Sequence, residues 1–196
     1  MARSLEFERT KVLEAAMKLF WARGYAATSL SDLLEEMGIA RSSFYASFGT
    51  KRKLFVECLE LFGNRTLTIV ANDAKKMTPA AMPRAFFNAT VLEVSQRRAN
   101  HGCLLVNTML ETADVDPQLN QLASQKLNAI ESVFARAFKQ LPDQGAFDTA
   151  YSPEELASLV MTINFGIRVQ SRQKGSQRTL KPIIDNSLSM LGLSSA

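Results

Sequence analysis

Residues 28–55 read T-S-L-S-D-L-L-E-E-M-G-I-A-R-S-S-F-Y-A-S-F-G-T-K-R-K-L-F, and the pattern inside them decides the fold. Leu30, Leu33, Leu34 and Met37 recur at i, i+3, i+4 and i+7, which is one stripe of a helix, with Asp32, Glu35 and Glu36 mostly on the wet side. A hydroxyl at Thr28 or Ser29 can cap its start, and Ser29 with Asp32 imitates a capping box. Gly38 stops the helix, because glycine enters the left-handed conformation without a Cβ penalty. A second helix over 41–48 carries Phe44 and Phe48 toward a core, while Arg41, Ser42, Ser43 and Ser47 point elsewhere. Both helices are too short to stand alone and need packing partners. Two such helices around a glycine turn are the layout of a helix-turn-helix.

The charge pattern names a ligand class. Residues 40–53 contain no acid, while Arg41, Lys51, Arg52 and Lys53 are all positive. Small polar residues on the second helix leave it free to approach base edges. Lys51, Arg52 and Lys53 follow a Thr50 cap at a helix N-terminus, where the helix dipole disfavours cations unless an anion is bound. A DNA phosphate resolves that conflict.

Outward from this motif, helical periodicity continues. Val12, Ala15, Ala16, Leu19 and Phe20 mark a helix over 5–23 ended by Gly24, which closes a three-helix head; Trp21 at the stripe's edge reads as packing. A helix over 51–74 has two apolar rows, Leu54, Cys58, Leu61 and Phe55, Leu59, Phe62, so it packs against two partners. A fifth helix is expected from Pro79 or Pro83 to about 98, a short apolar one over 103–112, and a seventh opened by D-V-D-P-Q-L. A loop follows over 142–151, then a helix over 153–172 capped by Ser152 with Glu155. After a break at 174–179 a last helix covers 180–191. No period-2 strand signal occurs, so the expected fold is all-α with about nine helices. The expected division is a helix-turn-helix domain over 1–50 and a ligand-binding and dimerisation domain over 51–196.

Composition bounds the function. The 196 residues are 46% hydrophobic and 21% charged with a net charge of +4, an ordinary soluble composition in which the local basic segment outweighs the total. Cys58 and Cys103 form no disulfide framework and have no metal-ligand spacing with the single His101, so neither metal nor cofactor is expected. A reducing cytoplasm fits, and no apolar run reaches the roughly 18 residues of a membrane span. With no Gly-rich phosphate loop, no G-x-S-x-G and no telling carboxylate pair, an enzyme is not expected.

These residues resemble the tetracycline-repressor (TetR/AcrR) family of bacterial transcription regulators. The likeness is closest over 10–61, in A-A-x-x-L-F-x-x-x-G-Y, T-S and I-A-R-S-S-F-Y-A-S-F-G-T-K-x-x-L-F. The resemblance implies that Thr28 and Ser29 touch phosphate and that Arg41, Ser42 and Ser43 face bases or backbone. Tyr45 would reach a phosphate or remain a partly buried head aromatic; Ala46 and Ser47 would lie along the groove, and Lys51 would clamp the backbone. Ala40 departs from the pattern, since a serine cap is common there.

For the body the resemblance implies a small-molecule effector whose binding releases a palindromic operator held by a homodimer. Candidate lining residues are Phe62, Phe86, Thr90, Cys103, Thr108, Met109, Met161 and Phe165, each of which also reads as core. Dimerisation is expected through the last two helices, at Leu156, Val160, Ile163, Ile167, Ile184, Leu188 and Leu191. Cys103, in G-C-L-L-V-N, reads either as a thiol sensor of electrophiles or oxidants or as a structural cysteine. Activation in place of repression also stays open.

Overall fold

Gly24, Gly38, Gly49 and Gly102 each have positive φ and end or precede a helix, so the chain is cut into helices where the sequence puts glycine. A computed structural model describes residues 2–141, 151–173 and 177–193. Among the described residues all regular structure is helical: α1 (Ala2–Arg23), α2 (Leu30–Met37), α3 (Arg41–Phe48), α4 (Lys51–Asp73), α5 (Met82–Phe87), α6 (Gln96–Ala99), α7 (Leu104–Thr112), α8 (Pro117–Phe138), α9 (Pro153–Gln170) and α10 (Gln177–Met190). A 3-10 turn (Pro79–Ala81) precedes α5 and a π turn (Asn88–Leu92) follows it. The expected loop at 142–151 lies outside the described residues except for Tyr151, as does the part of the expected break at 174–176. No helix among the described residues is long and apolar enough to cross a membrane.

The expected fifth helix is the one that differs. In place of one regular helix, the chain passes through α5, the π turn and α6. Within the π turn the Glu93 N–H donates to the Asn88 carbonyl at 2.9 Å, an i→i+5 bond that inserts an extra residue into the helical repeat.

Two compact units emerge. The first comprises Met1–Asn64 and Cys103–Ser124, the second Arg65–Gly102 and Gln125–Ala196. This grouping departs from a division at residue 50, because the start of α4 completes the core of the head. Phe55 packs its ring 4.7 Å from both Phe20 and Tyr25, and Leu54, Cys58 and Leu59 are fully buried with Ala16, Leu33 and Phe44. Trp21 lies edge-on to Phe62 at 5.0 Å, so it packs as expected. Cys58 donates weakly to the Leu13 carbonyl, and burial pushes its thiol well up, as inert core requires.

The second unit is built on aromatic packing. Phe86 meets Phe134 edge-on at 5.6 Å, and Phe134 stacks on Phe138 at 5.9 Å. Leu180, Ile184 and Leu188 of α10 are fully buried, as are Ala157 and Val160 of α9. Ser152 and Glu155 form the expected capping box at the start of α9.

Candidate nucleic-acid interface

Burial sorts α3 into two faces. Phe44 and Phe48 are buried, while Arg41, Ser42, Ser43, Ala46 and Ser47 are exposed and Tyr45 is 50% exposed. Tyr45 therefore presents its phenol to solvent and braces only an edge against Phe44, at 5.5 Å. The Phe44 N–H makes the first helical bond, to the Ala40 carbonyl. The N–H groups of residues 41–43 thus have no intrahelical acceptor, and Ala40 supplies no side-chain cap. The missing cap leaves three aligned donors at the exposed start of the helix, where an anionic oxygen can accept them.

At α2 the capping box forms as expected: the Ser29 hydroxyl accepts the Asp32 N–H at 3.1 Å, and the Ser29 N–H donates to Asp32 at 2.8 Å. Bonding from Ser29, with Arg23 at 2.8 Å, holds the Asp32 carboxyl down at about 2. Thr28 corrects the reading. Its side chain is fully buried and its hydroxyl donates to the Gly24 carbonyl at 2.6 Å, so it offers no surface to a phosphate. Ser29 beside it remains exposed.

The cations after Thr50 divide. The Thr50 hydroxyl accepts the Lys53 N–H at 3.1 Å and caps α4 as expected. Lys51 Nζ sits 4.4 Å above the Tyr25 ring, and burial lowers its ammonium from its ordinary value against the opposing pull of Glu111. Arg52, partly exposed, is paired within the chain. Its Nε and Nη2 donate to both oxygens of Asp116 at 2.8 and 3.0 Å, and Nη2 also reaches Gln118 at 2.8 Å. The dipole conflict expected to call for phosphate at Arg52 is thus resolved by an internal carboxylate, and that pair holds Asp116 down at about 2. Asp116 also accepts the Leu119 N–H and so caps α8. Lys53 stays exposed.

The proposed effector-lining residues fall into both units. Phe62, Cys103, Thr108 and Met109 belong to the first, and Phe86, Thr90, Met161 and Phe165 to the second. Thr108 is buried with its hydroxyl on the Leu104 carbonyl, and Cys103, at the α7 N-cap, is only 5% exposed. Arg168 follows Met161 and Phe165 at helical spacing on α9. It is buried, lies over Phe86, and donates to Asn164 Oδ1 at 3.0 Å and to the Thr90 carbonyl in the π turn at 2.8 Å. An arginine inside an apolar row was the available signal.

The proposed dimer residues also need correction. Leu156, Val160, Ile167, Ile184, Leu188 and Leu191 are buried within the chain and Ile163 is half-buried, so the apolar row of these helices serves the subunit's own core. The faces left uncovered are mixed: Ser158, Thr162, Gly166 and Val169 on α9, and Ile183 and Met190 on α10.

A family model described as bacterial regulatory proteins, tetR family, matches residues 12–58, and one described as tetracyclin repressor-like, C-terminal domain, matches residues 81–185. The chain is 29% identical over 196 residues to the uncharacterized HTH-type transcriptional regulator YezE of Bacillus subtilis (strain 168), covering 97% of this chain and 100% of that one. It is 25% identical over 187 residues to the HTH-type transcriptional repressor ComR of Escherichia coli (strain K12), over 93% and 88% of the two chains. A solved cysteine mutant of the TetR family regulator CifR, complexed with 26bp double-strand operator DNA, matches with a TM-score of 0.71 at 26% identity, over 92% of this chain and 94% of that one. A TetR family regulator from Agrobacterium tumefaciens matches in fold with a TM-score of 0.82 at 16% identity, over 94% and 97%.

Proposed function

The chain belongs to the tetR family of bacterial regulatory proteins and is a DNA-binding transcriptional regulator, and from that premise we propose that it is a cytoplasmic repressor that binds a palindromic operator as a homodimer. DNA recognition belongs to residues 1–50, effector binding and dimerisation to 51–196. A small apolar or aromatic molecule releases the operator, and by linkage it must bind the DNA-incompetent state more tightly than the DNA-competent one. The observation that carries the reading is the two-faced α3: Phe44 and Phe48 anchor it, and everything it exposes is basic, hydroxylic or small.

Roles follow from side-chain chemistry. Arg41, with a forked guanidinium at the helix start, reads guanine or holds phosphate, and Ser42 and Ser43 accompany it. Tyr45 and Ser29 reach backbone oxygens, while Ala46 and Ser47 lie along the groove. Lys51 supplies a point charge. In the body, Phe86, Thr90, Met161 and Phe165 all belong to one compact unit, which supports an effector site there. The burial of Cys103 favours its structural reading over a thiol sensor.

Two substitutions separate affinity from specificity. Lys51→Ala should weaken all duplexes alike and lower the slope of log K against log salt by about one unit. Arg41→Ala should in addition relax preference at one base pair, with a discrimination loss of about 1–3 kcal/mol if the fork reads guanine. Anisotropy titrations over several salt concentrations measure both. An unchanged slope for Lys51→Ala removes that residue from the interface. Gel shifts on DNA flanking the chain's own gene, with and without apolar compounds, test repression and release.

A further inference from the structure

We infer that Glu111 is a positioning residue for DNA recognition: from α7 its carboxylate holds the turn that joins α1 to α2 and so sets the helix-turn-helix in place without touching the duplex. The inference rests on the reading of α2 and α3 as the DNA-binding elements.

Both carboxylate oxygens are committed to that turn. The Tyr25 N–H donates to Oε2 at 3.0 Å and the Ala26 N–H to Oε1 at 2.6 Å. These are charge-assisted bonds to main-chain donors, roughly twice as strong as neutral ones. Gly24 makes the approach possible. At φ +90° it adopts a conformation L side chains rarely take, and a Cβ there would meet Glu111 Oε2 at 3.1 Å.

The held turn is connected to the DNA-facing residues on two sides. Toward α2, the Thr28 hydroxyl closes onto the Gly24 carbonyl, and the next residue is the Ser29 cap. Toward α4, the Tyr25 ring packs on Phe55 and carries Lys51 Nζ on its face. One carboxylate therefore fixes the backbone that places Ser29 and the ring that places Lys51. Glu111 is itself held by a fixed frame: the Thr112 hydroxyl bonds the Thr108 carbonyl, Asn120 Nδ2 donates to the Met109 carbonyl, and Asp116 grips Arg52.

The sign of the expected effect distinguishes positioning from charge. By Coulomb's law alone, removing a carboxylate from a DNA-binding head tightens binding. Positioning demands the reverse. The probes are a duplex enriched by the wild-type chain from a random-sequence pool and a scrambled duplex of the same length, titrated by anisotropy with circular dichroism melts alongside. Glu111→Ala is expected to bind the enriched duplex about tenfold or more weakly and the scrambled duplex less severely, with the salt slope lowered by no more than about the one unit that Lys51 supplies. Glu111→Gln, whose amide oxygen keeps one of the two bonds, should recover part of the loss. Glu36→Ala, which removes an exposed acid from α2, should bind as well as wild type or better. Binding of the enriched duplex by Glu111→Ala at or above the wild-type level overturns the inference, as does an equal loss on both duplexes. If Glu111→Ala does not fold, Glu111→Gln decides: weaker than wild type by about threefold or more supports positioning, and equality overturns it. Failure of the wild type to enrich any duplex overturns instead the reading on which the inference rests.

Discussion

Phe44→Ala is expected to destabilise the chain by about 3–5 kcal/mol and to abolish sequence-specific DNA binding. Phe44 is fully buried, in the eight-residue α3, and its ring contacts Phe48 at 6.0 Å and the edge of Tyr45. A helix of that length has no stability of its own, so α3 exists only while its two phenylalanines are packed. Truncation removes the ring's transfer free energy and leaves a cavity in the small core of the head, and the expected cost is a large part of the roughly 5–15 kcal/mol typical of a whole domain. Chemical denaturation followed by circular dichroism measures it. The neighbouring Tyr45→Ala provides the contrast: with half its surface already in water it should leave stability nearly unchanged yet weaken DNA binding. Equal stability losses for the two would mean that α3 is not divided into a packed and a reading face.

The helix-turn-helix was legible because each of its signals is local. The stripe of Leu30, Leu33, Leu34 and Met37, the Ser29–Asp32 box and the Gly38 stop all act within one or two turns, and all appear in the structure. Long-range pairings leave no such trace. Arg52 and Asp116 are 64 residues apart, and Tyr25 and Glu111 are 86 apart, so the charge run after Thr50 looked wholly available to phosphate when one member had an internal partner. The irregular stretch after α5 escaped for another reason. A π turn shifts the register of every following side chain, and a 3.6-residue period does not anticipate it. The last two helices show the limit of an apolar row: it says that a face is covered but not whether the cover is the same chain or a second one.

That limit makes the dimer the sharpest test of the body. With Leu156, Val160, Ile184 and Leu188 buried inside the chain, the proposed pairing falls to the uncovered faces, where Val169 is 54% exposed, Ile183 39% and Met190 86%. Val169→Glu combined with Ile183→Glu is expected to give a folded monomer by sedimentation equilibrium, because two like-charged carboxylates per subunit would face their counterparts across a two-fold axis. Operator affinity should then fall by about 10²–10⁴-fold, since the second half-site is no longer bound at the high effective concentration that linkage provides. Leu188→Glu should act differently: it places a charge in the subunit's own core and should unfold the second unit rather than yield a folded monomer. A persistent dimer in the double variant would move the pairing surface away from α9 and α10. A folded monomer from Leu188→Glu would return the interface to the buried row, against the packing seen here.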